Sequence, residues 1–206
     1  MNSKKFLPIA ASAVAAALAL AGCASGGSSP SGTSMPGMDH GGSSSTAAAS
    51  DNNAASDHNT ADVMFAQMMI PHHAQAVEMS EMILKKQDIP AEVTSLATRI
   101  RGAQGPEIEK MTGWLTGWGE AAQMPSGHSM DGMMGADDMS KLEAAKGLEA
   151  AKLFLAQMIT HHEGAVTIAK TESKDGKSPQ AIQLSKDIVS NQEAEIQEMK
   201  KLLATL

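Results

Sequence analysis

Two pairs of adjacent histidines are the residues of this chain best suited to chemistry. His72-His73 and His161-His162 lie in segments that share the pattern Phe-x-x-x-Met-Ile-x-His-His-x-x-Ala-Val. Neutral imidazole is a common metal ligand and a proton carrier near neutral pH. Because the pattern occurs twice, the sequence predicts a duplicated structural unit with one histidine pair in each copy.

A second block follows each histidine pair. It reads Ile-x-x-x-Gln-x-x-Glu-Ile-x-x-Met, with Gln104 and Glu107 in the first copy and Gln192 and Glu195 in the second. The two blocks of each copy are far enough apart to lie on two successive helices. The repeat therefore predicts a duplicated helical hairpin that carries a His-His pair on one helix and a Gln-x-x-Glu pair on the next.

Four helices are predicted to position these residues. Apolar residues at three-and-four spacing predict helices over about 61–87, 90–121, 140–172 and 178–206. No segment alternates apolar and polar residues with period two, so no strand is predicted. The connection 122–139 is rich in Gly, Pro, Ser and Asp and is predicted to be a loop. The expected fold is all-α, an antiparallel four-helix bundle.

Polar residues interrupt the apolar stripe of each predicted helix. These are His72, His161 and the two Gln-x-x-Glu pairs. A buried imidazole or carboxylate without a partner costs several kcal/mol, roughly 2–7 for a neutral polar group. Two interpretations stay open from the residues alone. Histidines hydrogen-bonded to glutamates can be a purely structural pairing, or the polar residues can form a metal site in the bundle core.

Methionine and histidine outside the helices favour the metal interpretation. The chain has 16 methionines, and five soft or borderline donors lie in the predicted loop, where core packing does not explain them. They are Met124, His128, Met130, Met133 and Met134. Thioether and imidazole ligands favour copper, Cu(I) above all, and also silver. No Glu-x-x-His motif occurs, which disfavours a carboxylate-bridged di-iron centre.

The N-terminal residues predict export and a lipid anchor. Residues 1–22 contain two lysines followed by a short apolar run, which is typical of an export signal. The segment ends in Leu-Ala-Gly before Cys23, and this ending resembles a bacterial lipobox, so Cys23 is the predicted lipidation site. Ordinary signal cleavage that leaves a free thiol is the alternative. Residues 23–59 are a predicted Gly/Ser-rich tether, and residues 60–206 are the predicted domain.

Charge and motifs exclude other classes of protein. The formal net charge is −7, and no basic run with interleaved aromatic residues is present, so no nucleic-acid partner is predicted. The chain contains no Gly-x-Ser-x-Gly, phosphate-binding glycine loop or His-Glu-x-x-His motif. Hydrolase chemistry therefore has no support in the sequence.

The repeated blocks resemble a bacterial family of unknown function, DUF305, over about residues 62–206. The resemblance implies a ferritin-like four-helix fold, an exported location and a link to copper. The family motif matches Met69, His72, His73, Gln104 and Glu107 in the first copy, and Met158, His161, His162, Gln192 and Glu195 in the second.

The sequence therefore predicts an extracytoplasmic, lipid-anchored protein that sequesters Cu(I) or hands it on to a partner protein that the sequence does not identify. The alternatives are a non-metal interaction bundle and a redox enzyme that oxidises Cu(I) or another substrate in the bundle core. The candidate metal ligands are His72, His73, His161, His162, Met69, Met158, Glu107, Glu195, Met124, His128, Met130, Met133 and Met134.

Overall fold

The computed structural model describes residues 57–124 and 130–206. The described residues form five helices and no strand. The helices are α1 (Thr60–Leu84), α2 (Ala91–Trp118), α3 (Ala136–Ala144), α4 (Gly147–Asp175) and α5 (Pro179–Thr205). The predicted signal peptide, most of the predicted tether, Cys23 and His128 lie outside the described residues. The all-α bundle predicted from the sequence is confirmed.

The bundle consists of two hairpins. Helix α1 packs along α2, α4 packs along α5, and the hairpins meet mainly where α1 packs against α4. The short helix α3 lies against α1 and α4. Equivalent positions on α1 and α4 carry the two histidine pairs, so the contact between these helices brings the pairs to the same level of the bundle.

A side-chain cap defines where α1 begins, and the same cap contacts the turn before α5. Asn59 accepts hydrogen bonds from the backbone N–H groups of Ala61 and Asp62, and Asp62 accepts one from Asn59 at 2.6 Å, which completes a capping box. Asp62 also accepts hydrogen bonds from the N–H groups of Lys177 and Ser178. This buried carboxylate therefore ties the start of α1 to the turn between α4 and α5.

The predicted third helix is divided. A single helix beginning at a capping box at Ser140 was expected, but Gly135 is the N-cap of α3, and Ser140 lies inside that helix. The backbone is extended at Ala145, so α3 ends there and α4 starts afresh. The Lys86 ammonium donates to the carbonyls of Glu143 and Ala145. This contact from the turn between α1 and α2 satisfies carbonyl groups that the local sequence leaves without a partner.

Two apolar clusters fill the core at different levels. One contains Met79, Leu96, Phe154 and Met199, and the other contains Phe65, Met111, Ile168 and Ile188, with further residues in each. Along every long helix, a buried polar residue falls between the positions that belong to the two clusters. These residues form a polar layer that consists of His72, His73, Gln104, His161, His162 and Gln192.

No helix in the described ranges is long and apolar enough to cross a membrane.

Candidate metal centre

Two histidine rings from the two copies are in contact at the centre of the polar layer. The ring centroids of His72 and His161 are 3.9 Å apart, with 45° between the ring planes. Both side chains are fully buried. Neither ring nitrogen of His161 has a hydrogen-bond partner within the described chain, and neither does Nδ1 of His72. Three imidazole nitrogens are therefore buried at one place without a partner.

Burial keeps these two rings neutral. Burial, together with a smaller contribution from the neighbouring imidazoles, lowers the pKa of His72 to about 4 and the pKa of His161 to about 2. Taking a charged imidazolium out of water is costly, and like charges nearby add to that cost. At neutral pH each ring therefore keeps a nitrogen lone pair, which is the form that binds metals.

The second histidine of each pair is oriented by a glutamate from the neighbouring helix. Nε2 of His73 lies 2.8 Å from Glu107 Oε2, and Nε2 of His162 lies 2.8 Å from Glu195 Oε2. The carboxylates are 18 % and 20 % exposed, whereas both imidazoles are fully buried. Because a carboxylate accepts, Nε2–H is the donor, and Nδ1 carries the lone pair when the ring is neutral.

His72 is oriented in a comparable way by a backbone carbonyl. Its Nε2 lies 3.2 Å from the carbonyl oxygen of Asp131, so Nε2–H donates and Nδ1 keeps the lone pair. A histidine that donates one ring N–H to a carboxylate or carbonyl has the orientation typical of a metal ligand. His72, His73 and His162 all show this arrangement, with Nδ1 buried and without a hydrogen-bond partner in the described residues.

Buried amides belong to the same polar layer, and buried thioethers lie next to it. Gln104 and Gln192 are buried, and their Oε1 atoms have no hydrogen-bond partner in the part of the chain that the structure describes. Met69 and Met158 are fully buried three residues before each histidine pair, on the same side of their helices as His72 and His161. Gln104, Gln192 and Met158 were expected in the core stripes, whereas neither the burial of Met69 nor the burial of both members of each histidine pair was predicted.

The end of the predicted Met-rich loop is docked on the bundle. Gln75 donates from Nε2 to the carbonyl of Met134 at 2.9 Å and accepts from the Met134 N–H at 2.7 Å. Gln157 donates to the carbonyl of Asp138 at 2.9 Å. We call residues 130–134 the strap. The connection 122–139 was predicted to be a loop; Gln75 on α1 holds the strap in place, and Gln157 on α4 holds the first turn of α3.

The predicted loop ligands lie partly buried rather than in the polar layer. Met130, Met133 and Met134 belong to the strap, and Met124 follows α2. All four are half-buried, while His128 lies outside the described residues.

One glycine in the strap and one in α4 allow the two backbones to approach each other closely. Gly132 has a positive φ of 84°, and a Cβ atom there would lie 2.8 Å from the Thr160 carbonyl oxygen. A Cβ atom at Gly164 would collide with the carbonyl group of Asp131. The carbonyl that receives the His72 hydrogen bond is thus held over the histidine rings by backbone-to-backbone packing.

Sequence reasoning missed Gln75, Gln157, Asp131 and Gly164 as parts of this site. When the two repeats are aligned on their histidines, Gln75 corresponds to Gly164, and Gln157 corresponds to Met68. Gln75 and Gly164, which contact the strap from α1 and α4, thus occupy a position at which the two copies of the repeat carry different residues. Positions at which the two copies differ therefore indicated these site residues. The repeated pattern contains only the residues that both copies share.

The donors do not converge on a single point. No group of three or more His, Cys, Asp or Glu side chains within residues 57–124 and 130–206 is arranged to hold a metal ion. Glu107 and Glu195 are engaged with His73 and His162, so the structure does not direct them at His72 and His161.

Comparisons with known proteins agree with this architecture. Residues 62–203 match the family described as a domain of unknown function, DUF305. No curated protein sequence matches the chain. A DUF305 protein from Streptomyces coelicolor that is proposed to be secreted has a similar structure, with a TM-score of 0.67 and 35% identity, over 70% of this chain and 93% of that chain. A DUF305 fragment from Deinococcus radiodurans gives 0.66 and 30%, over 72% and 98%.

CopM is a third similar structure. Its Cu(I)-bound form matches with a TM-score of 0.59 and 33% identity, over 70% of this chain and 96% of that chain. CopM has also been solved in Cu(II)-bound, Ag-bound and apo forms.

Proposed function

This chain belongs to the DUF305 family, and we propose that it is an exported, membrane-anchored copper-binding protein that sequesters Cu(I) or hands it on. Its helical bundle resembles that of CopM, for which Cu(I), Cu(II) and Ag complexes are known. The proposed ligands are imidazole and thioether groups of the polar layer, with a contribution from the methionines of the loop. Silver is the expected substitute ion, because it shares the preference of Cu(I) for soft donors.

The contact between His72 and His161 is the observation that carries this proposal. The two rings are neutral at pH 7 and lie 3.9 Å apart, and three of their four nitrogens have no hydrogen-bond partner in the described chain. A buried polar group without a partner costs about 1–3 kcal/mol. A soft cation that accepts imidazole lone pairs would recover that cost.

The purely structural interpretation leaves one of the four histidines unexplained. His73 and His162 are satisfied by Glu107 and Glu195, as a register-setting pair would be. His161 has no such partner within the described residues, although a leucine would fill a similar volume without a polar cost. The unsatisfied ring therefore favours a binding role over a non-metal interaction bundle.

We assign different roles to the donors. His72 and His161 bind the ion directly, and Met69 and Met158 are thioether ligands available from the two apolar clusters on either side of the polar layer. Glu107 and Glu195 orient the rings of His73 and His162, so that Nδ1 faces inward as a further lone pair. We propose no catalytic role, because the polar layer provides metal donors and the chain carries none of the nucleophile motifs named above.

An anaerobic Cu(I) titration against a competing chelator tests the proposal. The double variant His72→Gln, His161→Gln keeps hydrogen-bonding side chains of moderate size but removes both imidazoles. We expect it to lose high-affinity Cu(I) and to keep its helical circular dichroism spectrum. The triple variant Met130→Leu, Met133→Leu, Met134→Leu conserves volume and is expected to lower the stoichiometry or affinity. Wild-type binding by both variants would refute copper ligation by these residues.

The membrane anchor is a separate part of the proposal. It depends on Cys23 and the export signal, both of which lie outside the described residues. Replacement Cys23→Ser should move the protein from the membrane fraction to the soluble fraction and should remove the mass of the lipid. An unchanged membrane fraction for this variant would refute the lipoprotein assignment while leaving copper binding untouched.

A further inference from the structure

A cavity of about 440 Å³ lies between α1 and α4, on the side of the bundle where the strap begins. Its lining includes Met64, Phe65, Met68, Asp131, Ile168 and Glu172. Most of this lining is apolar, and Glu172 is a buried acid within it. None of Met64, Met68 and Glu172 belongs to the polar layer, so the cavity is a feature separate from the histidine centre.

Soft donors lead from this cavity toward the histidines. Met64, Met68 and His72 follow one another at four-residue spacing on α1, so they lie on one side of the helix about 6 Å apart along its axis. Met64 is 43% exposed, Met68 is half-buried and His72 is fully buried. Burial thus increases stepwise along a line of two thioethers and an imidazole.

Glu172 supplies a buried carboxyl group that has no positive partner in the described chain. It is fully buried, and no N–H donor reaches either of its oxygens in the described ranges. Its carboxyl group instead contacts that of Asp62, which already accepts backbone N–H groups from Asn59 and Ser178. Two buried carboxyl groups in contact need a proton or a cation between or beside them.

The other half of the repeat lacks this arrangement. At the positions equivalent to Met64 and Met68, α4 carries Leu153 and Gln157, and Gln157 is occupied with the carbonyl of Asp138. The second copy packs without thioethers at these two positions, so packing of the repeat does not require methionine there. The two methionines are a feature of one side only, and that is the side on which the cavity opens.

We propose that this cavity is a second binding site, for a soft monovalent cation of the Cu(I) or Ag(I) type, and that the ion passes from it to His72. Met64 and Met68 supply thioether ligands, and the carboxyl group of Glu172 releases its proton to solvent when the cation binds, so that its negative charge balances the ion in the apolar cavity. The inference rests on the proposed copper function and deepens it, because it gives the histidine centre a route of entry.

Asp131 connects the two sites. It lines the cavity, and its carbonyl accepts the Nε2–H of His72. Asp131 therefore borders both the cavity and the His72 ring, so the strap lies where the entry site meets the histidine centre. The transfer is an exchange of ligands, in which the thioethers release the ion as the Nδ1 lone pair of His72 takes it, with no change of oxidation state.

Ag(I) titration of the full chain, labelled with ¹³C at the methionine methyl groups, tests this site. Methyl signals report each thioether separately, so binding by other methionines does not obscure the result. We expect the Met64 and Met68 signals, assigned by single Leu variants, to shift on addition of Ag(I). Met82, which is half-buried on the same helix, is the matched control and should not shift.

The variants separate this inference from the proposed function. In His72→Gln, His161→Gln, the Met64 and Met68 signals should still shift, because the entry site does not need the histidines. In Met64→Leu, Met68→Leu, the histidine centre should still bind Cu(I) at equilibrium but should take it up from a chelator more slowly. In Glu172→Gln, the two signals should shift only at higher Ag(I) concentration.

Unshifted Met64 and Met68 signals in a wild-type chain that binds Ag(I) at its histidines would overturn the entry site and leave the copper function standing. Uptake by Met64→Leu, Met68→Leu at the wild-type rate would overturn the route. A wild-type chain that binds neither Ag(I) nor Cu(I) would overturn the proposed function as well.

Discussion

Replacement of His161 by leucine should stabilise the metal-free protein. Most substitutions in a packed core destabilise, but His161 is fully buried and neither of its ring nitrogens has a hydrogen-bond partner in the described chain. Leucine has a similar volume and no polar atoms. Removing a side chain whose polar atoms are unsatisfied removes a penalty, whereas removing a satisfied one creates a penalty.

The size of the effect follows from two opposing contributions. The unpaired nitrogens of His161 cost about 1–3 kcal/mol each. The ring contact with His72 at 3.9 Å is lost and contributes about 0.5–1.5 kcal/mol. The difference between these contributions is about 0.5–5.5 kcal/mol, and we expect the free energy of unfolding to rise by an amount in this range. At about 2–4 °C per kcal/mol for a domain of this size, the Tm should rise by about 1–22 °C.

The assay is urea unfolding at pH 7 with a chelator present, followed by far-ultraviolet circular dichroism. The matched control is His162→Leu, since His162 is equally buried but is paired with Glu195 at 2.8 Å. This control leaves a largely buried carboxylate without its partner and should lose about 1–3 kcal/mol. With Ag(I) present at about 100 times its Kd, the wild type should gain about 2.7 kcal/mol, and His161→Leu should gain much less.

One result would refute the reasoning. If metal-free His161→Leu is less stable than the wild type by about 1 kcal/mol or more, the ring has a structural partner and its nitrogens are not available. A gain in stability together with unchanged Ag(I) stabilisation would show that His161 is unsatisfied but is not a ligand.

Three further predictions concern pH and the strap. Metal-free stability should fall as the pH drops from 6.5 toward 4, because the unfolded chain protonates His72 and His161 near 6.5 while the folded rings, with pKa values of about 4 and about 2, stay neutral. Urea midpoints at several pH values measure this loss, which should be smaller in His161→Leu. Burial and Asp62 raise the pKa of Glu172 to about 8, so the wild type should lose stability relative to Glu172→Gln as the pH rises from 4.5 through 8. Gly164→Ala should lower the Tm, because its Cβ would collide with the Asp131 carbonyl group, and overpacking costs about 1–3 kcal/mol.

Each of these has an outcome that contradicts it. Equal acid sensitivity of wild type and His161→Leu would mean that the ring is not kept neutral by burial. Parallel pH curves for wild type and Glu172→Gln would mean that the acid is not held in its protonated form. Gly102 has open space around its Cβ position, so Gly102→Ala should stabilise by about 0.5–1 kcal/mol; if Gly164→Ala does the same, the strap does not pack on α4 as described.

The positions of the polar residues were predictable because helical periodicity is a local property. The spacing of Phe65, His72 and Met79 places them on one side of a helix whatever that helix packs against. The repeat then predicts that His161 lies at the same level of the bundle as His72, since two hairpins of similar sequence are expected to fold in the same way. Sequence reasoning therefore identified the core histidines and both Gln-x-x-Glu pairs before any contact was known.

The division between α3 and α4 was not predictable in this way. Ser140 and Glu143 have the spacing of a capping box, and local sequence favours a helix start there. The start is instead at Gly135, with Lys86 from the turn between α1 and α2 donating to carbonyls at the end of α3. A long-range hydrogen bond outweighs a local propensity of about 1 kcal/mol.

The sequence by itself determined the duplicated hairpin, the four apolar stripes and the types of donor that occupy them, because residue type and periodicity are properties of the chain. Only the tertiary structure decided which donors are satisfied. His73 and His162 meet Glu107 and Glu195, whereas His161 meets no hydrogen-bond partner in the described residues. In the sequence, the two histidine pairs occupy equivalent positions of the repeat, and the repeated motif does not distinguish His161 from its counterpart in the first copy. The difference arises because a hydrogen bond requires two groups from separate helices to meet within about 3 Å, and only the packing of α1 against α4, with the strap laid over them, sets those distances.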